Sequence, residues 1–370
     1  MRVLVDSRTP VNYEMVLPVV RAMRDDQRVR FGFTASEEPG RMNDIYRDAD
    51  AEAWLIGPGR AMLFKWDAYL TSDYMWATLP RGTVRIQMFH GVAGKYGFDA
   101  PSAPLHEWHR LFFVNERRLR NVISAGAIDA ASPAPRLVGM PKVDCLVDGS
   151  LRRDSVLTEY GLDPALPTVL YAPTWSEASS LNVMGLELLE RLLQLPVNVL
   201  VKLHDRSRDP RPRYSGGIDW VAQLQPVLQR RNARLVDGAN ITPCLAAADV
   251  MITDHSSAGF EYLLLDRPIV RIHLPQLLET ANVHPDYAQL LAECAESVTS
   301  AGDAVAAVER ALADGTTLSA SRRRVAADLF HRPGTATARC AAALYDVLEL
   351  APPASITTQL QEPQPCLQSA

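Results

Sequence analysis

The sequence predicts an α/β protein made of two doubly wound, Rossmann-like domains facing one another across a cleft. Three observations carry this. Short apolar runs alternate with helical patterns along most of the chain, which is the grammar of a parallel sheet covered by helices. The alternation restarts near residue 150, after the turn-rich segment VGMPKVDCLVDGS (138–150). The chain has 370 residues, about twice the length of an ordinary domain. The expected division is 1–147 and 148–350. The Pro- and Gln-rich tail 351–370 is expected to be disordered.

The elements follow in order. RVLVD (2–6) reads as a buried strand and VNYEMVLPVVRAM (11–23) as the helix after it. RVRFGFTAS (28–36), AEAWLIG (51–57), WDAYLTSDY (66–74), TVRIQMFHG (83–91) and HRLFFVN (109–115) read as further strands. ERRLRNVISAG (116–126) is a helix closed by Gly126. In the second half, RRDSVLTEYGL (152–162) and GLELLERLLQL (185–195) are helical. PTVLYAPTW (167–175), VNVLVKLHD (197–205), ARLVDG (233–238), ADVMITD (248–254) and RPIVRIH (267–273) are strands. SSAGFEYLLLD (256–266), DAVAAVERALAD (303–314) and TATARCAAALYDVLEL (335–350) complete the helices.

Composition narrows the function. With 47% hydrophobic and 22% charged residues, disordered, collagen-like and coiled-coil chains are excluded. The net charge of −5 offers no global attraction for nucleic acid, so an anionic ligand needs a local site. The five cysteines are odd in number and form no C-x-x-C, which points away from a disulfide framework or a zinc knuckle. No signal peptide or membrane span is legible. The expectation is a cytoplasmic enzyme, with peripheral membrane contact left open.

In doubly wound domains the ligand crevice lies at the carboxyl ends of the strands. Four segments place chemistry there. In ADVMITDHSSAGFEYLLLDRPIV (248–270) a strand ends at Thr253 and a helix opens near Ser256. Its free amides suit a pyrophosphate, with Asp254, Ser256 and Ser257 beside it and Glu261 one turn on for ribose hydroxyls. The plainer alternative is that Asp254 and the serines only cap the helix. In RIQMFHGVAGKYGFD (85–99) a strand delivers His90 to its end, followed by Gly91, Gly94 and Lys95. Such an imidazole is either a general base or a histidine satisfied by loop backbone.

The third segment, VLVKLHDRSRDPRPR (199–213), puts Lys202 and His204 on one face, with Arg206, Arg208, Arg211 and Arg213 after them. This basic cluster suits phosphate, although the later arginines read better as a solvated loop. The fourth is YAPTWSEASS (171–180), where Thr174 and Trp175 follow a rigid Pro173. Asp48 and Asp50 are read as a helix end, Arg322–Arg324 as a solvated helix face, and 62–76 as core strand rather than membrane contact. The chain contains no H-x-x-x-H, G-x-S-x-G, Walker or G-x-G-x-x-G sequence, so zinc proteases, α/β-hydrolases, P-loop NTPases and NAD dehydrogenases are poor fits.

Taken together, these segments resemble the CDP-glycerol glycerophosphotransferase family, the teichoic-acid primases and polymerases. Five blocks recur in order: QMFHGVAGKYG (87–97), VGMPKVDCL (138–146), YAPTW (171–175), VKLHD (201–205) and DVMITDHSSAGFEYLLLDRPIV (249–270). The resemblance implies the GT-B fold. It also implies metal-independent transfer of a polyol phosphate from a CDP-linked donor, CDP-glycerol or similar, to a hydroxyl of a cell-surface polymer or its lipid-linked precursor, with release of CMP. No cofactor is implied beyond the nucleotide-activated substrate, and no nucleic acid. The expected place is the cytoplasm or the inner face of the membrane.

By the same resemblance, His90 is the general base and His204 meets the donor pyrophosphate. Thr174, Lys202, Thr253, Asp254, Ser256, Ser257 and Glu261 surround the donor, while Gly91, Lys95 and Arg206 are acceptor-side or loop candidates. The chain departs from the family pattern at Val92-Ala93, Lys142, Asp205 and His255. The competing readings are a GT-B glycosyltransferase or UDP-sugar 2-epimerase using a nucleotide sugar, and a degenerate nucleotide-binding module without turnover.

Overall fold

The computed structural model describes residues 1–73, 75, 77–92, 94, 95, 105 and 107–361. They form two compact units. The first contains 1–91, 105–144 and 328–361, and the second 92–95 and 145–327.

The first unit is built on a seven-stranded sheet. Its strands are β1 (Arg2–Asp6), β2 (Arg30–Thr34), β3 (Trp54–Leu55), β4 (Ala68–Thr71), β5 (Val84–Met88), β6 (Arg110–Phe113) and β7 (Pro135–Leu137), in the order β3-β2-β1-β4-β5-β6-β7. Every pairing is parallel. β4 is buried along its whole length and β1 over its last four residues, because helices cover both faces of such a sheet. The helix Pro10–Met23 starts where the sequence predicts. Thr9 caps it, accepting from the Asn12 amide at 3.3 Å, and Pro10 occupies the first turn.

The second unit repeats this plan with six strands: β8 (Thr168–Tyr171), β9 (Asn198–Val201), β10 (Ala233–Leu235), β11 (Val250–Thr253), β12 (Ile269–Ile272) and β13 (Glu296–Val298). Their order is β10-β9-β8-β11-β12-β13, again all parallel. In both sheets the strand order reverses once, between β1 and β4 and between β8 and β11. Such switch points are where doubly wound sheets open a crevice at their carboxyl ends.

Several expectations need correction. The segment 328–361 joins the first unit, not the second. The helix Ala336–Val347 buries Ala338, Ala341, Leu344 and Tyr345 and packs on Pro10–Met23. Tyr345 Oη donates to Asp26 Oδ2 at 2.8 Å. Part of the expected disordered tail, Ala354–Gln361, is a helix with Ile356 buried, and 362–370 lie outside the described residues. Of the triple arginine, Arg323 and Arg324 are exposed as expected, but Arg322 is buried and pairs with Asp266 at 3.0 Å. Among the described residues of 62–76 only β4 is strand. The helix expected over 256–266 is Ser257–Tyr262 followed by a 3₁₀ turn, Leu263–Leu265.

Candidate active site

The YAPTW block (171–175) and the block over 249–270 meet at the β8/β11 switch point, and Asp254 is what joins them. Its carboxylate follows β11 and accepts from four donors. Oδ1 takes the amides of Thr174 (2.7 Å) and His255 (2.8 Å), and Oδ2 takes the amide (3.0 Å) and hydroxyl (2.9 Å) of Ser180. Thr253 Oγ1 donates to the Ala172 carbonyl at 2.7 Å. Both residues are buried. They hold the loop after β8 and the start of the helix Ser180–Leu192 against the end of β11.

Both carboxylate oxygens of Asp254 are occupied by protein donors, so Asp254 and Thr253 hold this turn in shape. Lys202 is similar. Its ammonium donates to the carbonyls of Asp237 (2.8 Å) and Gly238, tying the end of β9 to the loop after β10.

Thr174, Ser256, Ser257 and Glu261 stand at the same switch point. The Thr174 side-chain oxygen is buried and has no hydrogen-bond partner. A buried hydroxyl in that state costs roughly 1–3 kcal/mol, and a ligand oxygen there would relieve it. Ser256 caps the helix Ser257–Tyr262 by accepting from the Ala258 amide at 3.3 Å. Ser256 and Ser257 are half-buried and Glu261 is fully buried.

Lys95, carried on the segment after β5, groups with this unit. Its ammonium donates to the His255 carbonyl at 2.9 Å. Burial pushes its pKa down from 10.5 to about 8, with the Asp254 charge acting against that. Gly94, beside it, is fixed by φ +56° and by the Tyr287 ring, which a Cβ would meet at 2.1 Å. The Gly94 carbonyl accepts from the His284 amide at 2.9 Å.

His204 follows β9. Its Nδ1 lies 2.6 Å from Asp205 Oδ1 and 3.1 Å from the Arg206 amide. The two contacts ask for opposite protonation of Nδ1. A nitrogen lone pair set against a carboxylate at 2.6 Å is the costlier arrangement, so the proton belongs on Nδ1. Burial works against ionisation of Asp205, but the His204 ring and Arg206 outweigh it and bring the carboxyl to about 2. The Arg206 guanidinium lies 4.5 Å over the Trp175 ring and 5.4 Å over Tyr214. This stacking was not legible from the spacing.

His90 and Gly91 belong to the first unit, beyond the end of β5. His90 Nδ1 is in close contact with the Ser72 carbonyl. Only a protonated Nδ1 can satisfy that oxygen, which leaves the lone pair on Nε2. Burial pushes the imidazole below its ordinary 6.5, the Asp73 charge and the Ser72 carbonyl resist, and Arg118 and Lys142 add to the lowering. Arg118 donates to the Gly91 carbonyl at 2.8 Å and lies 4.6 Å over the Phe89 ring. Arg8 pairs with Asp73 at 2.8 Å. Sequence reasoning missed Ser72, Asp73 and Arg118. The signal present was the Ser-Asp pair that directly follows β4, the partner of β5.

A family model described as CDP-glycerol:poly(glycerophosphate) glycerophosphotransferase matches residues 60–333. The chain belongs to that family. It is accordingly a transferase of the CDP-glycerol glycerophosphotransferase type, moving glycerol phosphate from CDP-glycerol onto a poly(glycerophosphate). Among curated proteins no sequence matches.

Among solved structures, a histidine-to-asparagine variant of the wall teichoic acid polymerase TagF superposes with a TM-score of 0.70 at 15% identity, covering 98% of this chain and 90% of that one. The same protein soaked with CDPG gives 0.68 at 15%, covering 97% and 90%. An UDP-N-acetylglucosamine 2-epimerase from Listeria monocytogenes, described as putative, gives 0.63 at 13%, covering 95% and 98%. At these identities the likeness is one of fold, the GT-B type.

Proposed function

We propose that the second unit holds CDP-glycerol at the β8/β11 switch point and that His90 removes the proton from the acceptor hydroxyl. The observation that carries the donor site is Thr174: a buried hydroxyl without a partner, on the loop that Asp254 clamps beside the half-buried Ser256 and Ser257. A pyrophosphate oxygen placed there would accept from Thr174 and from the amides that open the helix. Arg206 supplies positive charge at the end of the neighbouring strand, where His204 presents its imidazole, and Glu261 is kept for the ribose.

In the reaction the acceptor oxygen attacks the β-phosphorus of the donor. The bond from that phosphorus to the bridging oxygen breaks, CMP leaves with the electron pair, and Nε2 of His90 takes the hydroxyl proton. A positioned base contributes ~10²–10⁴ in rate. Negative charge grows on the departing CMP, where oriented donors contribute most, on the order of 10²–10³ for one such donor.

The acceptor is proposed to be lipid-linked and the enzyme to work at the inner face of the cell membrane. Among the described residues no helix is long and apolar enough to cross a membrane, so such an association would be peripheral. The test is His90→Ala: transfer is expected to be lost while CDP-glycerol binding persists. Unchanged turnover would remove His90 from the mechanism, and lost binding would move it to the donor site.

A further inference from the structure

We propose that Lys95 is a positioning residue for the donor phosphates: its ammonium, anchored on the His255 carbonyl, shapes the turn after β11 and places a fixed positive charge behind Ser256 and Ser257. This rests on the reading above that the turn receives the donor pyrophosphate. It moves Lys95 from the acceptor-side or loop candidates to the donor side.

Gly94, the residue before Lys95, is locked in place. Gly94 has a positive φ and lies so close to Tyr287 that no side chain fits, and its carbonyl is held by the His284 amide. Lys95 is therefore delivered to one spot, and there it reaches the His255 carbonyl at 2.9 Å. That carbonyl belongs to the residue between Asp254, which clamps the loop after β8, and Ser256, which caps the next helix. Pulling on it orients the peptide units that face a ligand at the turn.

The charge has a second purpose. Asp254 puts a carboxylate under the same turn, and a carboxylate there repels phosphate unless something offsets it. Lys95 is the cation whose field Asp254 shares. The other ionisable groups of the neighbourhood are His255 on the turn, Glu261 on the helix after it, and His284 and Tyr287 against Gly94. With the ammonium protonated, the turn presents a net attraction to a dianionic pyrophosphate. When it loses its proton, that offset is lost.

The lysine is pushed down to about 8 by burial, so the loss falls in an accessible range. Full dependence on the protonated form predicts CDP binding to the wild-type protein about tenfold weaker at pH 9 than at pH 7.

The experiment is calorimetric titration of the full chain with CDP between pH 7 and 9.5, on wild type, Lys95→Met and Lys95→Arg. Expected for Lys95→Met is a loss of tenfold or more in CDP affinity at pH 7, with no decline between pH 7 and 9. Lys95→Arg should keep binding and should also lose the decline, because guanidinium does not titrate there. Acceptor KM should be unchanged wherever turnover survives. A wild-type affinity independent of pH over this range overturns the inference without needing any variant to fold. So does a folded Lys95→Met protein with wild-type CDP affinity. Failure of wild type to bind CDP at any pH would instead overturn the donor-site reading itself.

Discussion

The histidines and carboxylates that a sequence reader would group together divide by what each side chain touches. His90 points a carbonyl-fixed imidazole with its lone pair on Nε2, and burial lowers its pKa below 6.5. A base must be unprotonated to work. The acid limb of the kcat profile should therefore lie below pH 6.5, and activity should hold through pH 7. A limb above 6.5 that persists in saturating donor would contradict this assignment.

Asp254 behaves differently. Its oxygens are consumed by four protein donors, so Asp254→Ala should unfold at lower urea, by about 3 kcal/mol or more, from the buried donors left unsatisfied. A variant as stable as wild type but inactive would return Asp254 to ligand contact. The sequence placed Asp254 at the right strand end and offered capping as the alternative reading. What it could not show is that the helix Asp254 serves is Ser180–Leu192, far away in the chain.

Elements were legible where burial is continuous. β1, β4, β8, β9 and β11 read directly as apolar runs, and the carboxyl ends of β5, β8, β9 and β11 supplied the candidate residues. β7 and β13 were missed, because each is three residues long, at a sheet edge and only partly buried. Such strands carry no periodic signal.

The G-x-P-K-x-D block shows the same limit. Its aspartate, Asp144, accepts the amides of Gly334 (2.8 Å), Ala336 (3.2 Å) and Thr337 (2.7 Å), capping the helix Ala336–Val347. Gly139, at φ +89°, sits where a Cβ would lie 2.6 Å from the His331 carbonyl. Through Asp144 and Gly139 the block clamps the last large helix. Asp144→Ala should lower stability by about 2 kcal/mol, measured by denaturant unfolding, and leave the KM for CDP-glycerol unchanged. A selective rise in that KM would count against the clamp.

For the whole molecule, two sheets with the same switch-point order explain why the halves read alike without sequence repetition. The order is set by parallel pairing and crossover connections, which many sequences satisfy. The domain boundary was not legible as a single point, because 328–361 return to the first unit. Helix-to-helix packing over that distance leaves no local mark. A chain ending at residue 330 would uncover the face of Pro10–Met23 on which Ala336–Val347 rests. It should show a lower melting temperature than a chain ending at 361, and equal stability would deny that packing any weight.

Family membership and the fold leave nucleotide-sugar chemistry as the main rival, since an epimerase shares the fold. The decisive measurement is the nucleotide product. The full-length protein would be incubated with CDP-glycerol, CDP-ribitol or UDP-N-acetylglucosamine, with a poly(glycerol phosphate) acceptor and EDTA present, and the nucleotides separated by chromatography. Acceptor-dependent CMP from CDP-glycerol, lost in His90→Ala, is the predicted result. UDP release or an epimerised sugar, with no CMP from either CDP-polyol, would contradict it.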